Sequence, residues 1–237
     1  MLGDTFRALA FGAVLAATAA GATPAAAQAS FFVVHGIPGR DVGAGIDPLL
    51  PVDVLVNGKL CLLSNFTYGT IAGPFDVPAG TYTVAVSLAN PIAPCSNSPV
   101  ISGQVQLANG EFGAAVAQLS KAGAPSLGVY GVDVNPIKKG DQRFVAIHAA
   151  DAPKVQVTVQ STETKGEKLS FGLATGKEKK ADVPTQSGFD VEAAIGSAVV
   201  GPINVTGFDQ GLFLVVAVGS AKSGSLTLLS KTIPSVF

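Results

Sequence analysis

The 237-residue sequence contains no tryptophan, one methionine and three tyrosines, and only two histidines and two cysteines. Without tryptophan, an aromatic stacking platform for sugars is weakly supported. Charged residues are sparse, and 15 basic side chains balance 16 acidic ones. This near-neutrality argues against a nucleic-acid partner, because binding to phosphates requires a basic surface.

Recognisable catalytic motifs are missing as well. The sequence has no Gly-x-Ser-x-Gly elbow, no His-Glu-x-x-His, no phosphate-binding loop and no calcium loop of the EF-hand type. The pairs Ser120-Lys121 and Lys222-Ser223 are isolated and lack the spacing of a Ser–Lys nucleophile. We therefore expect a protein without enzymatic activity and without a cofactor.

The N-terminus has the composition of an export signal. Arg7 supplies a modest positive charge, residues 8–17 form a short apolar run, and residues 27–29 (Ala-Gln-Ala) fit the A-x-A rule of signal peptidase. A retained membrane anchor is the alternative, but no Lys or Arg cluster follows the apolar run. We predict a cleaved signal peptide over residues 1–29, a mature chain from near Ser30 without a transmembrane segment, and a periplasmic or extracellular location.

Export gives the two cysteines a first interpretation. In an oxidising compartment an even pair is most simply a disulfide, and Cys61 with Cys95 would tether the Pro- and Ser-rich segment 90–99. The chain-entropy model gives such a closed loop roughly 3–4 kcal/mol of stabilisation. A metal site is less well supported, because no histidine lies nearby to complete the ligands. We predict a Cys61–Cys95 disulfide.

Alternation of apolar and polar residues indicates β-strands throughout the exported part. The strand pattern is found in residues 52–56, 81–88, 155–160 and 212–218, the last as a continuous apolar run. The pair Asn109-Gly110 stands between two apolar runs and predicts a β-hairpin. Residues 191–198 could form a short turn of helix. The sequence therefore predicts an all-β protein.

The two halves of the sequence repeat each other. The stretch FFVVHGIPG at residues 31–39 matches RFVAIHAADAP at residues 143–153, and the following motifs recur in the same order. A unit of this length is far longer than a solenoid repeat and can carry its own core. We predict two tandem antiparallel β-sandwich domains of the immunoglobulin-like type. The predicted domains span residues 30–135 and 141–237.

The order of these motifs resembles the domain of unknown function 4397 family, in two tandem copies. The resemblance is carried by Val34-His35 and by residues 77–82 (VPAGTY) in the first half, and by residues 147–153 (IHAADAP) in the second. Residues 186–189 (QSGF) replace the Gly-Thr-Tyr turn in the second half. The resemblance implies exported bacterial β-sandwich modules and supplies no catalytic residues.

The two histidines, His35 and His148, occupy corresponding positions in the repeat. At a strand end beside a proline-containing turn, each ring can hydrogen-bond the turn backbone. A shared metal or catalytic site would instead require both domains to bring these ends together, with further ligands. Because one turn built twice needs the same residue twice, we expect His35 and His148 to be structural turn residues and expect no metal.

The function expected from the sequence is a structural or interaction role of an exported, non-enzymatic protein, with a protein or a cell-envelope component as partner. The alternative is a soluble periplasmic or extracellular binding protein for a small ligand or polymer, with its site at one sandwich end or between the domains. A wide apolar patch would favour protein association, whereas a closed pocket with convergent polar groups would favour ligand binding.

Overall fold

The computed structural model describes residues 28–164 and 168–233, which form sixteen β-strands and one short 3₁₀ helix. The strands of the first unit are β1 (Gln28–His35), β2 (Val52–Val56), β3 (Leu60–Phe66), β4 (Ile71–Pro78), β5 (Gly80–Leu88), β6 (Ile101–Leu107), β7 (Phe112–Leu119) and β8 (Pro125–Gly131), with the 3₁₀ helix at Gly39–Asp41. Except for its last two residues, the predicted signal peptide lies outside the described residues.

The second unit contains an equal number of strands. They are β9 (Asp141–His148), β10 (Val155–Ser161), β11 (Lys168–Leu173), β12 (Glu178–Pro184), β13 (Gly188–Ile195), β14 (Ala198–Thr206), β15 (Leu212–Val218) and β16 (Thr227–Ile233). The predicted helical turn at residues 191–198 is wrong, because most of this segment pairs as strand β13 between β10 and β14. No helix among the described residues is long and apolar enough to cross a membrane.

Each unit consists of two four-stranded sheets with the same strand order. The outer sheets are β3-β2-β5-β6 and β11-β10-β13-β14, and the inner sheets are β4-β1-β7-β8 and β12-β9-β15-β16. The prediction of an all-β fold with two sandwich units is confirmed. One pair in each unit, β1 with β7 and β9 with β15, is parallel rather than antiparallel. Alternation of residue types cannot reveal this direction, since both ladder types share the same period.

The predicted hairpin at Asn109-Gly110 is wrong. This turn leads from β6 in the outer sheet to β7 in the inner sheet, so its flanking strands do not pair. It binds the start of β1 instead: the Gln28 N–H donates to Asn109 Oδ1 at 3.1 Å, and the Gly110 N–H donates to the Gln28 carbonyl at 2.7 Å. By contrast, Asn57-Gly58, with both residues at positive φ, joins the paired strands β2 and β3.

The four sheets stack with three apolar layers between them. One layer fills each sandwich, and the third, here called the middle layer, lies between the two inner sheets. Strand β1 contributes to two layers, since Phe31 and Val33 face the first sandwich while Phe32 and Val34 face the middle layer. Burial on both faces explains why β15, a central strand of the second inner sheet, is continuously apolar.

The connection between the units is packed rather than free. Ile137, inside the predicted inter-domain boundary, is buried in the middle layer. Arg143 of β9, only 4% exposed, holds Asp182 through Nε and Nη2 at 2.6 and 2.7 Å and Asp133 through Nη1 at 2.8 Å. A buried guanidinium with two carboxylate partners ties the end of the first unit to the second.

Candidate interaction surface

His35 ends β1 and is buried between the sheets of the first sandwich. Its Nε2 lies 2.8 Å from the Leu50 carbonyl, and the Ile37 N–H points at Nδ1 from 3.4 Å. Burial lowers the pKa of His35 below its ordinary value, against a smaller opposing effect of the Leu50 carbonyl. The ring is therefore neutral at pH 7, with its proton on Nε2.

His148 ends β9 in the same way. Its Nε2 lies 2.8 Å from the carbonyl of Pro153, in the turn that follows the strand. Burial again lowers the pKa of His148, and the Pro153 carbonyl opposes this in part. Its Nδ1 is buried without a hydrogen-bond partner among the described residues. A neutral ring suits this position, since a protonated Nδ1 would need an acceptor.

The structure does not bring the two histidines into one site. Along β1, His35 shares the face of Phe31 and Val33, which point into the first sandwich; along β9, His148 shares the face of Phe144 and Ala146, which point into the second. Both inner sheets and the middle layer therefore separate the rings. In the part of the chain that the structure describes, no group of three or more His, Cys, Asp or Glu could hold a metal ion.

The two units differ most at the sandwich end where β1 and β9 terminate. In the first unit the connections over residues 36–51 and 89–100 are long, whereas their counterparts in the second unit cover only residues 149–154 and 196–197. The loop 36–51 folds back closely on itself: a Cβ on Gly39 would lie 1.8 Å from the Asp47 carbonyl oxygen. Only glycine fits there.

The loop 89–100 is fixed near its start, at Asn90, and in its middle, at Cys95. The predicted disulfide is confirmed, since Cys61 of β3 is bonded to Cys95 with a Cα–Cα distance of 5.8 Å. The carboxylate of Asp53, only 1% exposed, accepts N–H bonds from Asn65, Asn90 and Cys95 at 2.9, 3.0 and 2.8 Å. Burial alone would raise the pKa of Asp53, but these three bonds together hold it below its ordinary value.

Sequence reasoning missed the role of Asp53. The residue occupies a polar position of an alternating strand, and such positions ordinarily face solvent. Its three partners come from strand β3 (Asn65) and from the loop 89–100 (Asn90 and Cys95), so no local sequence spacing relates them. Asp53 lies next to the Pro- and Ser-rich loop 89–100 in space but not in sequence, so its role is visible only in the folded chain.

A small cavity opens between the loops 36–51 and 89–100. It has a volume of about 190 Å³ and is lined by aliphatic side chains and the His35 ring. Buried residues such as Ile37 and Leu50 belong to its wall, together with the exposed side chains of Val42 and Val100. The cavity presents no converging polar or charged side chains and so offers no group for chemistry on a substrate.

Exposed aliphatic side chains lie at the cavity and on the loops beside it: Val42, Ile46, Leu88 and Val100 line it, and Leu49 and Ile92 lie elsewhere on the two loops. Six of the ten large hydrophobic residues exposed in the described ranges lie on or beside these two loops. We call this set the apolar end: Val42, Ile46, Leu49, Leu88, Ile92 and Val100. The sequence carries no charged residue between Asp76 and Glu111, so the loop 89–100 is uncharged throughout. Clustered exposed apolar groups of this kind mark surfaces that contact a partner.

The described chain is thus a two-unit β-sandwich protein with an apolar surface at one end of its first unit. Residues 29–158 match the model of the domain of unknown function family DUF4397, which covers more than half of the chain. The chain belongs to this family. The match ends within β10, so the second tandem copy remains a prediction.

No curated protein matches the chain. Among solved structures, it is similar to the Bacillus anthracis TIE protein, with 12% identity, a TM-score of 0.24, and 86% of this chain and 34% of that chain covered. It is also similar to a candidate cell adhesion protein from Bacteroides ovatus, with 10% identity, a TM-score of 0.25, and 90% and 99% covered. A leucine-rich repeat protein from Bacteroides thetaiotaomicron gives 11% identity, a TM-score of 0.23, and 81% and 26% covered. The chain spans about a third of the Bacillus anthracis protein.

Proposed function

We propose that this protein is an exported, non-enzymatic interaction protein that binds a protein or another component of the cell envelope through the apolar end. The observation that carries the proposal is the difference between the two units. Both have the same strand order, but only the first has long loops with six exposed aliphatic side chains. Since such exposure does nothing for folding, its concentration on one sandwich end favours a binding role.

Two further features support this role over the binding of a small polar ligand. The cavity lacks the convergent polar groups that orient a small molecule. The loop beside it is fixed by Asp53 and by the disulfide, so that little conformational entropy is lost when a partner covers it. A disulfide also supports a location outside the cytoplasm, in the periplasm, at the cell surface or in the medium.

We further propose that residues 141–237 form a second copy of the family domain. Strands β9 to β16 follow the strand order of β1 to β8, including the single parallel pair. The second copy has short connections at the end where the first has its long loops. Its role is then to support the first unit through the middle layer.

The test compares three forms of the mature protein as bait on native envelope and culture medium: wild type, Val100→Asp in the apolar end, and Val199→Asp on β14. Both valines are exposed, at 59% and 56%, so the two substitutions are matched. We expect the same component to be retained by wild type and Val199→Asp and lost from Val100→Asp, as identified by mass spectrometry of proteins and lipids. Equal retention by all three forms would refute the apolar end as the binding surface. Hydrolase turnover abolished by His35→Gln would refute the non-enzymatic role.

A further inference from the structure

The most exposed part of the apolar end is the turn Pro91–Pro94 in the disulfide-tethered loop. Ile92 is 93% exposed, and both prolines and Ala93 beside it are exposed as well. The side chain of Ile92 therefore projects into solvent instead of packing on its own unit. A fully projecting aliphatic side chain at a loop apex is suited to enter another apolar phase rather than to receive a partner's side chain.

The backbone of this turn has no free N–H group. Pro91 and Pro94 carry no N–H, and the N–H groups of Ile92 and Ala93 both donate to Asn90 Oδ1, at 3.1 and 3.0 Å. The flanking N–H groups of Asn90 and Cys95 donate to Asp53. A lipid layer that covers this turn would therefore leave no backbone N–H unpaired, as a phase without acceptors requires.

The turn is also held rigidly from within. The amide nitrogen of Asn90 donates to Ser96 Oγ at 2.9 Å and to Asn97 Oδ1 at 3.3 Å. Together with the Cys61–Cys95 bond, these contacts keep Ile92 at the apex. A preorganised apex loses little conformational entropy when it enters a membrane.

Charge around the apex favours an uncharged lipid surface. The loop 89–100 has no charged residue, and of those in the loop 36–51, Arg40 and Asp41 bond Gly224 and Ser225 of the second unit. Asp47 stays exposed beside Ile46, which disfavours a strongly anionic membrane. Protein interfaces concentrate binding energy in tryptophan, tyrosine and arginine, and the loop 89–100 contains none of these.

From this geometry we propose that the Pro91–Pro94 turn inserts Ile92 into the interface of an uncharged or zwitterionic lipid layer. The proposal rests on the proposed function, since it names the partner of the apolar end. The turn need not enter the lipid layer deeply, because only side chains at the tip of the loop are apolar and exposed.

The test uses the absence of tryptophan from the chain. Ile92→Trp places one fluorophore at the apex, and Val199→Trp places one at a matched exposed position of the second unit. With phosphatidylcholine vesicles, we expect a blue shift and quenching by brominated acyl chains for Ile92→Trp, and neither for Val199→Trp. In flotation with the same vesicles, Ile92→Asp should lower partition of the oxidised full chain about tenfold, the effect of removing one buried aliphatic side chain, while Val199→Asp leaves it unchanged.

Two fluorescence results would overturn the lipid proposal: no blue shift for Ile92→Trp, or equal shifts for both tryptophan variants. So would binding that requires anionic lipid and disappears in about 1 M salt, where the screening length is about 3 Å instead of about 10 Å at about 0.1 M. If vesicles do not bind but Ile92→Asp removes a protein partner in the envelope capture, the lipid proposal is wrong and the proposed function stands. If Ile92→Asp changes neither, the lipid proposal is wrong, and the capture with Val100→Asp alone decides the proposed function.

Discussion

His35 and His148 hold equivalent positions in the two units, yet their rings point to opposite sides of the middle layer. Each ring bonds a carbonyl of its own unit, Leu50 or Pro153, at the same distance of 2.8 Å. The equivalence is therefore one of local construction. It does not create a joint site.

The first prediction is that the two histidines act independently on stability. His35→Gln and His148→Gln should each lower the free energy of unfolding by about 1 kcal/mol, the net value of one hydrogen bond, and the double variant should show the sum. Urea denaturation of the four forms measures this. A coupling energy well above the error, or a zinc-dependent rise of the melting temperature lost in either variant, would indicate a shared site.

The second prediction concerns pH. Both histidines have a folded-state pKa below the ordinary value of 6.5, so the unfolded chain binds their protons first as the pH falls. The free energy of unfolding should be constant with respect to these groups above about pH 7.5 and should fall as the pH drops below 6.5. Denaturation at about pH 7.5 and about pH 5.5, roughly two pH units apart and on either side of the histidine titration, measures this loss in the free energy of unfolding. In the double Gln variant this loss should be largely absent; an unchanged loss would assign it to other groups.

The third prediction concerns the anchor of the apolar end. Asp53→Ala removes the acceptor of three N–H groups and should lower the free energy of unfolding by about 3 kcal/mol or more. Gln156→Ala, at the corresponding position of β10, is the control, because Gln156 is exposed and its replacement should cost under about 0.5 kcal/mol. Hydrogen exchange should show faster exchange of the Asn90 and Cys95 amides in Asp53→Ala. Equal stability of the two variants would contradict the assigned role.

The fourth prediction concerns the start of the mature chain. Gln28 and Ala29 are the first two residues of β1: they pair with Pro78 and Val77, and Ala29 is buried. Cleavage after Ala29 would remove both, whereas residues 25–27 (Ala-Ala-Ala) fit the same peptidase rule and leave β1 whole. We therefore expect the exported protein to begin at Gln28, which N-terminal sequencing or intact mass will show. A start at Ser30 would support the site expected from sequence alone.

The disulfide and the strands were predictable because each depends on a local or compositional signal. Two cysteines allow one pairing, and alternation as clean as that of residues 81–88 has one common cause. The identical dipeptides at Asn57-Gly58 and Asn109-Gly110 show where such signals stop. Both form turns with a glycine at positive φ, but one joins paired strands and the other joins two sheets. Packing across the sandwich decides whether the turn stays within one sheet or joins two, and the dipeptide itself does not indicate which.

The apolar end was not predictable for a related reason. Residues such as Val42, Leu88 and Val100 look like ordinary strand or core residues, and only the folded chain shows them exposed together. Whether a side chain is exposed depends on which other parts of the folded chain cover it. No residue pattern within one loop encodes it.

The middle layer has a consequence for how such a protein diversifies. A single unit on its own would present the apolar face of its inner sheet to water, including Phe32 and Val34, and would have to find another molecule to cover it. The second unit of the same chain supplies that cover at a fixed stoichiometry and orientation. One copy is then free to lengthen its loops and change its surface while the other preserves the shared scaffold. With the second unit a copy of the first, as proposed above, the inequality of the two units is what tandem duplication would make available to selection.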